Sequence, residues 1–238
     1  MQHNKMKDMI PTERPYEKCE RFGPGSLTDI ELLAVLLRSG SVGESVMDLA
    51  HKLISPHGQG KGLLNIHHWS LEQLKTVKGV GKVKAAQLVC LSELAKRLAK
   101  TEAAPSLDFS MPQSIARYYM EELRHKKQEV IKLLLLNAKA KLICDVEISK
   151  VTVNSTLVTP RELFIEALQK NAVTIILLHN HPSGDPTPSP DDALVTERIH
   201  QSGQLIGIQL LDHIIIGNNC YYSMREKGFF HEQEAIRS

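Results

Sequence analysis

Two histidines and a carboxylate give this sequence its clearest chemistry. In LLHNHPSGDPTPSPDD (177–192), His179 and His181 stand two residues apart, and Asp192 lies eleven residues beyond His181. On an extended strand, side chains two apart project to the same side, so both imidazoles could hold one ion. Imidazole nitrogen suits zinc, and a third, oxygen ligand leaves a position of a tetrahedral site open for catalysis. Zinc over manganese or iron follows from ligand type. Pro182, Pro186, Pro188 and Pro190 stiffen the loop that must return the carboxylate. Asp192 falls at the start of a predicted helix, with Ser189 or Asp191 as its cap. The competing reading is a polar turn with incidental histidines. The whole pattern H-x-H-x7-S-x-x-D, carried by His179, His181, Ser189 and Asp192, is far more specific than HxH alone. The zinc motif H-E-x-x-H does not occur.

The elements that must position these residues belong to the second half of the chain. EVIKLLLLNAKAKLICDVEISK (129–150) reads as two strands around a turn at Asn137–Ala140. RELFIEALQKN (161–171) reads as a helix with Pro160 just before it. AVTIILLHN (172–180) is a buried strand that delivers the histidines. DDALVTERIHQSGQLIG (191–207) reads as a helix ending near Gly203. IQLLDHIIIGNNCYYSM (208–224) reads as a strand pair around Gly217–Asn219. The order β-β-α-β-α-β-β predicts an α/β fold, a mixed sheet with helices on its faces. Asp212 and His213, in the last apolar run, could support the metal from behind its ligands. A core histidine satisfied by a backbone carbonyl explains His213 as well. Asn180, between the two histidines, is expected to point away from the metal.

Residues 1–104 read as a helical domain, and 112–238 as the α/β domain. TEAAPSLDFSMP (101–112) loses periodicity and serves as the linker. Helices are predicted in SLTDIELLAVLLRSG (26–40), capped by Ser26 or Thr28 and stopped by Gly40. Another is predicted in VMDLAHKLISPHG (46–58), and a pair flanks the glycine turn of LEQLKTVKGVGKVKAAQLVCLSELAKRLAK (71–100).

Composition bounds what these parts can do. The 238 residues are 42% hydrophobic and 24% charged, with a net charge of +2, which excludes wholesale disorder and a histone-like chain. No run approaches the roughly 18 apolar residues of a membrane span. The N-terminus has no apolar signal region, so the expected address is the cytoplasm, with no membrane partner. Cys19, Cys90, Cys144 and Cys220 show no C-x-x-C spacing, so they are read as reduced thiols, mostly buried.

The H-x-H-x7-S-x-x-D pattern resembles that of the JAMM (MPN+) metalloproteases. With TPRELF (159–164) and LLDHIIIG (210–217), the resemblance narrows to the RadC-like JAMM proteins of bacteria and covers nearly the whole chain. It implies a zinc site at His179, His181 and Asp192 on a cytidine-deaminase-like α/β core, with Ser189 stabilising an oxyanion. It also implies a general base, a glutamate at the start of an earlier strand. Glu129 opens EVIKLLLLN fifty residues before His179, near the family's spacing, and is preferred. Glu147 in CDVEISK suits a solvated strand face equally well. Glu162 sits in a helical first turn, where the dipole explains an acid without catalysis. The implied activity is zinc-dependent hydrolysis of a peptide or isopeptide bond. One departure is Val151 in SKVTVNSTLV, where such chains usually carry Gly.

A second signal lies in LKTVKGVGKVKAAQL (74–88), which resembles a helix-hairpin-helix element. Gly79 and Gly81 would let backbone amides approach a phosphate, with Lys78, Lys82 and Lys84 around them. From Lys75 to Lys100 there are seven Lys/Arg and one acid, enough to grip a nucleic-acid backbone without reading sequence. A solvated lysine face explains the same charges. The alternative function is therefore a DNA-associated protein, linked to repair or recombination, with a regulatory JAMM domain.

Overall fold

The computed structural model describes residues 9–55, 62–150 and 159–230, with Ser149 and Lys150 described as backbone only. Val151 lies outside these residues. Residues up to Ala95 form one compact unit and those from Lys96 a second.

The first unit holds α1 (Pro15–Phe22), α2 (Asp29–Leu37), α3 (Val46–Ile54), α4 (Leu71–Thr76) and the first part of α5 (Lys82–Ala103). Thr28, Ser45 and Ser70 start α2, α3 and α4, each in a reciprocal capping box with the residue three positions on. The expected stop of α2 at Gly40 comes sooner: the helix ends at Leu37, and Arg38 takes φ 64°. Leu33, Leu37, Leu49, Leu53, Leu74, Val80 and Leu88 share one buried cluster.

The second unit is a five-stranded mixed sheet flanked by helices. It contains α6 (Pro112–Leu123), β1 (Val130–Leu136), β2 (Leu142–Lys150), α7 (Pro160–Gln169), β3 (Thr174–Asn180), α8 (Pro190–Ile206), β4 (Gln209–Ile216) and β5 (Tyr221–Ser223). The strand order is β2-β1-β3-β4-β5. β3 lies in the middle, antiparallel to β1 and parallel to β4. Its run of apolar residues follows from burial on both faces. On one face, Leu133, Leu135, Ile175 and Leu177 pack under α7 and α8 through Leu163, Ala167, Val195 and Ile199. On the other, Leu134, Leu136, Ile176 and Leu178 pack under α6 through Ile115, Tyr119 and Leu123.

Three expectations are modified. The stretch read as a linker continues α5 to Ala103 and then turns through Ala104–Ser106, and its Leu107 and Phe109 pack on the α6 core. The helix expected to end near Gly203 runs on to Ile206, and Gly207 closes it with φ 75°. The four cysteines are free, but none is fully buried and Cys90 is exposed. Among the described residues, no helix is long and apolar enough to cross a membrane.

Candidate metal centre

The strand period of two decides which residues meet. His179 follows Ile175 and Leu177 on the face of β3 beneath α7 and α8, and His213 takes the same face of β4. His181 lies one residue past the strand, where its amide still bonds the Ile216 carbonyl (3.0 Å). Asp192 arrives from the other side, on the first turn of α8. Ser189 is the N-cap of that helix, and Asp192 is the partner in its capping box. One Asp192 oxygen, Oδ2, accepts from both the amide and the hydroxyl of Ser189, at 2.7 Å each. The S-x-x-D half of the pattern is thus a helix start that aims a carboxylate.

The loop between is fixed by its own bonds. Gly184, at φ 86°, turns the chain as only glycine does without strain. The Gly184 amide donates to the His181 carbonyl (3.0 Å), and its carbonyl accepts from the Asn218 amide (2.8 Å).

Three donor groups converge. His179 Nε2 and His181 Nε2 are 2.9 Å apart. Asp192 Oδ1 is 3.3 Å from His179 Nε2, and Oδ2 is 3.4 Å from His181 Nε2. Ligands of a tetrahedral zinc at bond lengths of about 2.0–2.2 Å stand about 3.3–3.6 Å apart, so the two carboxylate–imidazole separations match such an ion and the two imidazole nitrogens would open by about 0.4 Å to hold it. The remaining ring nitrogens are already committed. His181 Nδ1 lies 2.8 Å from the Asp185 carbonyl, which only accepts, so Nδ1 carries a hydrogen and, in the neutral ring, Nε2 offers its lone pair toward Asp192. His179 Nδ1 lies 2.8 Å from His213 Nε2, and His213 Nδ1 lies 2.6 Å from Thr196 Oγ1. His213 therefore stands directly behind His179, and among the described residues its ring bonds side chains and not a backbone carbonyl. Asp212 does something else: it accepts from the Ser223 hydroxyl (2.6 Å) and the Arg225 amide (3.0 Å), tying β4 to the chain after β5.

Electrostatics match the geometry. Burial, with the neighbouring His213, pushes His179 well below the usual histidine range. Burial pushes His213 down to about 4. The Asp192 carboxylate raises His181. Burial alone would raise Asp192, but His181, His179 and Ser189 outweigh it and hold the carboxyl well below its ordinary value.

The three glutamates separate cleanly. The β1–β3 ladder ends at the Ile131–His179 pair, and Glu129 lies two residues before Ile131, just ahead of β1. The charge of Glu129 is among those that raise the His181 pKa. Glu147 belongs to the opposite face of β2 from Cys144, Val146 and Ile148, and pairs with Lys126 (2.8 Å). Glu162 closes the capping box of α7 with Thr159.

Asn180 does point away from the histidines, and it has work there. Fully buried, its Oδ1 accepts from the Val130 amide (2.9 Å), and its Nδ2 donates to the carbonyls of Gln128 (3.2 Å) and Lys126 (3.4 Å). The residue between the two histidines therefore holds the segment that carries Glu129. Sequence reasoning missed this role, and that of Thr196. The alternation of H-N-H, and a buried threonine one helical turn after Asp192, were the available signals.

In the first unit, the glycine turn lies between α4 and α5 as expected. Lys78, Gly81 and Lys82 are exposed there. Gly79 takes φ 91°, and a Cβ on it would crowd the Ser41 side chain. Lys84 differs: its ammonium donates to the carbonyls of Ser39, Gly40 and Gly79, using all three N–H donors within the fold. Burial lowers its pKa.

Comparison with known proteins agrees with this architecture. Residues 109–229 match the family model described as the RadC-like JAB domain, and residues 6–86 match that of the UPF0758 N-terminal family. The chain belongs to the RadC-like JAB domain family. It is similar to a UPF0758 protein of Clostridium botulinum (strain Langeland), 46% identical over 94% of this chain and 97% of the relative. A UPF0758 protein of Clostridium kluyveri is 43% identical over the same shares.

Proposed function

We propose that this protein is a zinc-dependent hydrolase of the JAMM type that cleaves an amide bond in a peptide or protein. One observation carries the reading: His179 Nε2, His181 Nε2 and the Asp192 carboxylate face one another within 3.4 Å, a donor set that a divalent cation would bridge. His179, His181 and Asp192 would hold the ion, which supplies Lewis acidity toward the carbonyl and water. Glu129, beside His181, takes a proton from the attacking water on its carboxylate and returns it to the leaving amine. The Ser189 hydroxyl turns from Asp192 to donate to the developing oxyanion.

The test is elemental analysis of the purified protein beside His179→Ala and Asp192→Ala. About one zinc per chain, lost in both variants, is expected. No metal after purification without chelator, and none taken up from added zinc, overturns the reading. A peptide substrate then identified should be left intact by Glu129→Gln.

A second reading is favoured by the exposure of Lys78, Gly81 and Lys82 at the start of the long helix α5. These three groups would contact a DNA backbone, with Lys84 left to its structural bonds. Binding should then weaken with salt, and more weakly still in Lys78→Met/Lys82→Met. Unchanged affinity in the double variant would remove this reading.

A further inference from the structure

We propose that Thr196 selects the metal-competent tautomer of the centre, acting through His213 on His179; the inference rests on the metal-binding reading above. Thr196 and His213 are buried, at 0% and 2% exposure. Thr196 Oγ1 lies 2.6 Å from the Asp192 carbonyl oxygen and 2.6 Å from His213 Nδ1. A hydroxyl has one hydrogen, so it donates either to the carbonyl, which leaves it free to accept from His213 Nδ1–H, or to His213 Nδ1, which gives up the bond to the carbonyl.

Two settings follow. In the first, Thr196 donates to the Asp192 carbonyl and accepts from His213 Nδ1–H. His213 Nε2 then accepts from His179 Nδ1–H, and His179 Nε2 is bare toward His181 and Asp192. In the second, Thr196 donates to His213 Nδ1, the bond to the Asp192 carbonyl is given up, and the His213–His179 bond reverses. His213 Nε2–H donates to His179 Nδ1, and His179 Nε2 carries its hydrogen into the space between the ligands. Both settings contain the same protons, so they differ in hydrogen position and not in charge.

Only the first presents three bare donors to an ion. The Asp192 carbonyl favours it, because a carbonyl can only accept and offers the hydroxyl a partner at 2.6 Å. Asp192 thus acts twice, by its carboxylate at the centre and by its backbone at the far end of the chain of bonds. Thr196 is a positioning residue two hydrogen bonds behind His179.

Thr196→Val keeps the shape and removes the hydroxyl. His213 Nδ1 would then face a methyl group, and a hydrogen there would be a buried, unpaired donor. The hydrogen moves to Nε2, and the chain settles in the second setting. Zinc must reverse it before binding.

The experiment measures zinc affinity of the full chain by competition with a fluorescent chelator. Long-range 15N–1H spectra of the zinc-loaded protein locate the imidazole hydrogens. Thr196→Val should bind zinc about 10–100-fold more weakly. Thr196→Ser, which keeps the hydroxyl, should stay within about threefold of the unmodified protein, a rescue that a packing role would not give. Thr196→Ala is a second hydroxyl-free variant should the valine protein fold poorly. His213 in the loaded protein should carry its hydrogen on Nδ1. Wild-type affinity in the folded valine or alanine variant, or a hydrogen on His213 Nε2, overturns the inference alone. Absence of zinc uptake by the unmodified protein overturns the metal-binding reading and this inference together.

Discussion

Lys132→Met tests whether a buried ion cluster holds α6 to the sheet. Lys132 lies on the β1 face toward α6, with Nζ 2.7 Å from Glu122 and 2.8 Å from Asp145. Its side chain is 8% exposed, against 30% and 27% for the two acids. Removing one partner of a buried pair costs about 3–5 kcal/mol, because the other charge is stranded. The lower end applies here, since both acids reach some water and each keeps a partner. Lys100 lies 3.0 Å from Glu122, and the Tyr119 hydroxyl donates to Asp145 at 2.8 Å. The expected loss is about 3 kcal/mol at pH 7, or roughly 6–12 °C in Tm. Burial raises both acids, but their bonds to Lys132 outweigh it and hold them below their ordinary values. A depressed carboxylate stabilises above its unfolded pKa, about 4, and that contribution is lost as pH falls through the folded value. The methionine variant lacks most of it from the start. Its deficit should be full at pH 7 and shrink at pH 3, read by urea unfolding at both. A deficit under about 1 kcal/mol at pH 7, or one equally large at pH 3, would refute the electrostatic account.

Other changes probe separate contacts. Asn180→Ala strands the Val130 amide and two carbonyls, and should cost about 2–3 kcal/mol. Amide exchange at Val130 should accelerate while zinc affinity stays within a few-fold; strong loss of zinc would mean that Asn180 holds the ligands as well. Lys84→Met should destabilise by about 2 kcal/mol and Lys82→Met by less than about 0.5, compared by thermal melts; equal effects would contradict the three-carbonyl role of Lys84. Gly203→Ala drives a Cβ into the Ile208 carbonyl, with Phe164 close by, and should cost about 1–3 kcal/mol or more. A neutral result in denaturant unfolding would show that the α8–β4 junction can yield.

The legible parts of the sequence were those with local signals. The ββαβαββ order follows from alternating period and Pro160, and the strand–loop–helix carrying His179, His181 and Asp192 from spacing alone. Helix α6 escaped because its buried positions, Ile115, Ala116, Tyr119 and Leu123, lie among charged residues just after a stretch without periodicity. The Pro105 and Pro112 that looked like linker punctuation both begin helical turns. Contacts set by tertiary register were not legible. That Glu147 lies on the opposite face from His179 depends on how β1 pairs with β3 and β2. The His213–Thr196 contact joins β4 to α8, and the Lys84 bonds reach back about forty-five residues to Ser39 and Gly40.

The gearing between β3 and β1 has a consequence for how this centre can vary. His179, Asn180 and His181 are consecutive, yet they serve opposite faces of one sheet. The outer two face Asp192, and the middle one clasps the segment bearing Glu129. A slip of one residue would swap these duties and abolish both at once, so the ladder is the ruler that sets how far the two histidines stand from the Glu129 carboxylate. Loops elsewhere are free to lengthen or change sequence without retuning that distance. A designer moving the site to another scaffold would need to carry over β1, β3 and the start of α8, together with the His213–Thr196 pair behind His179.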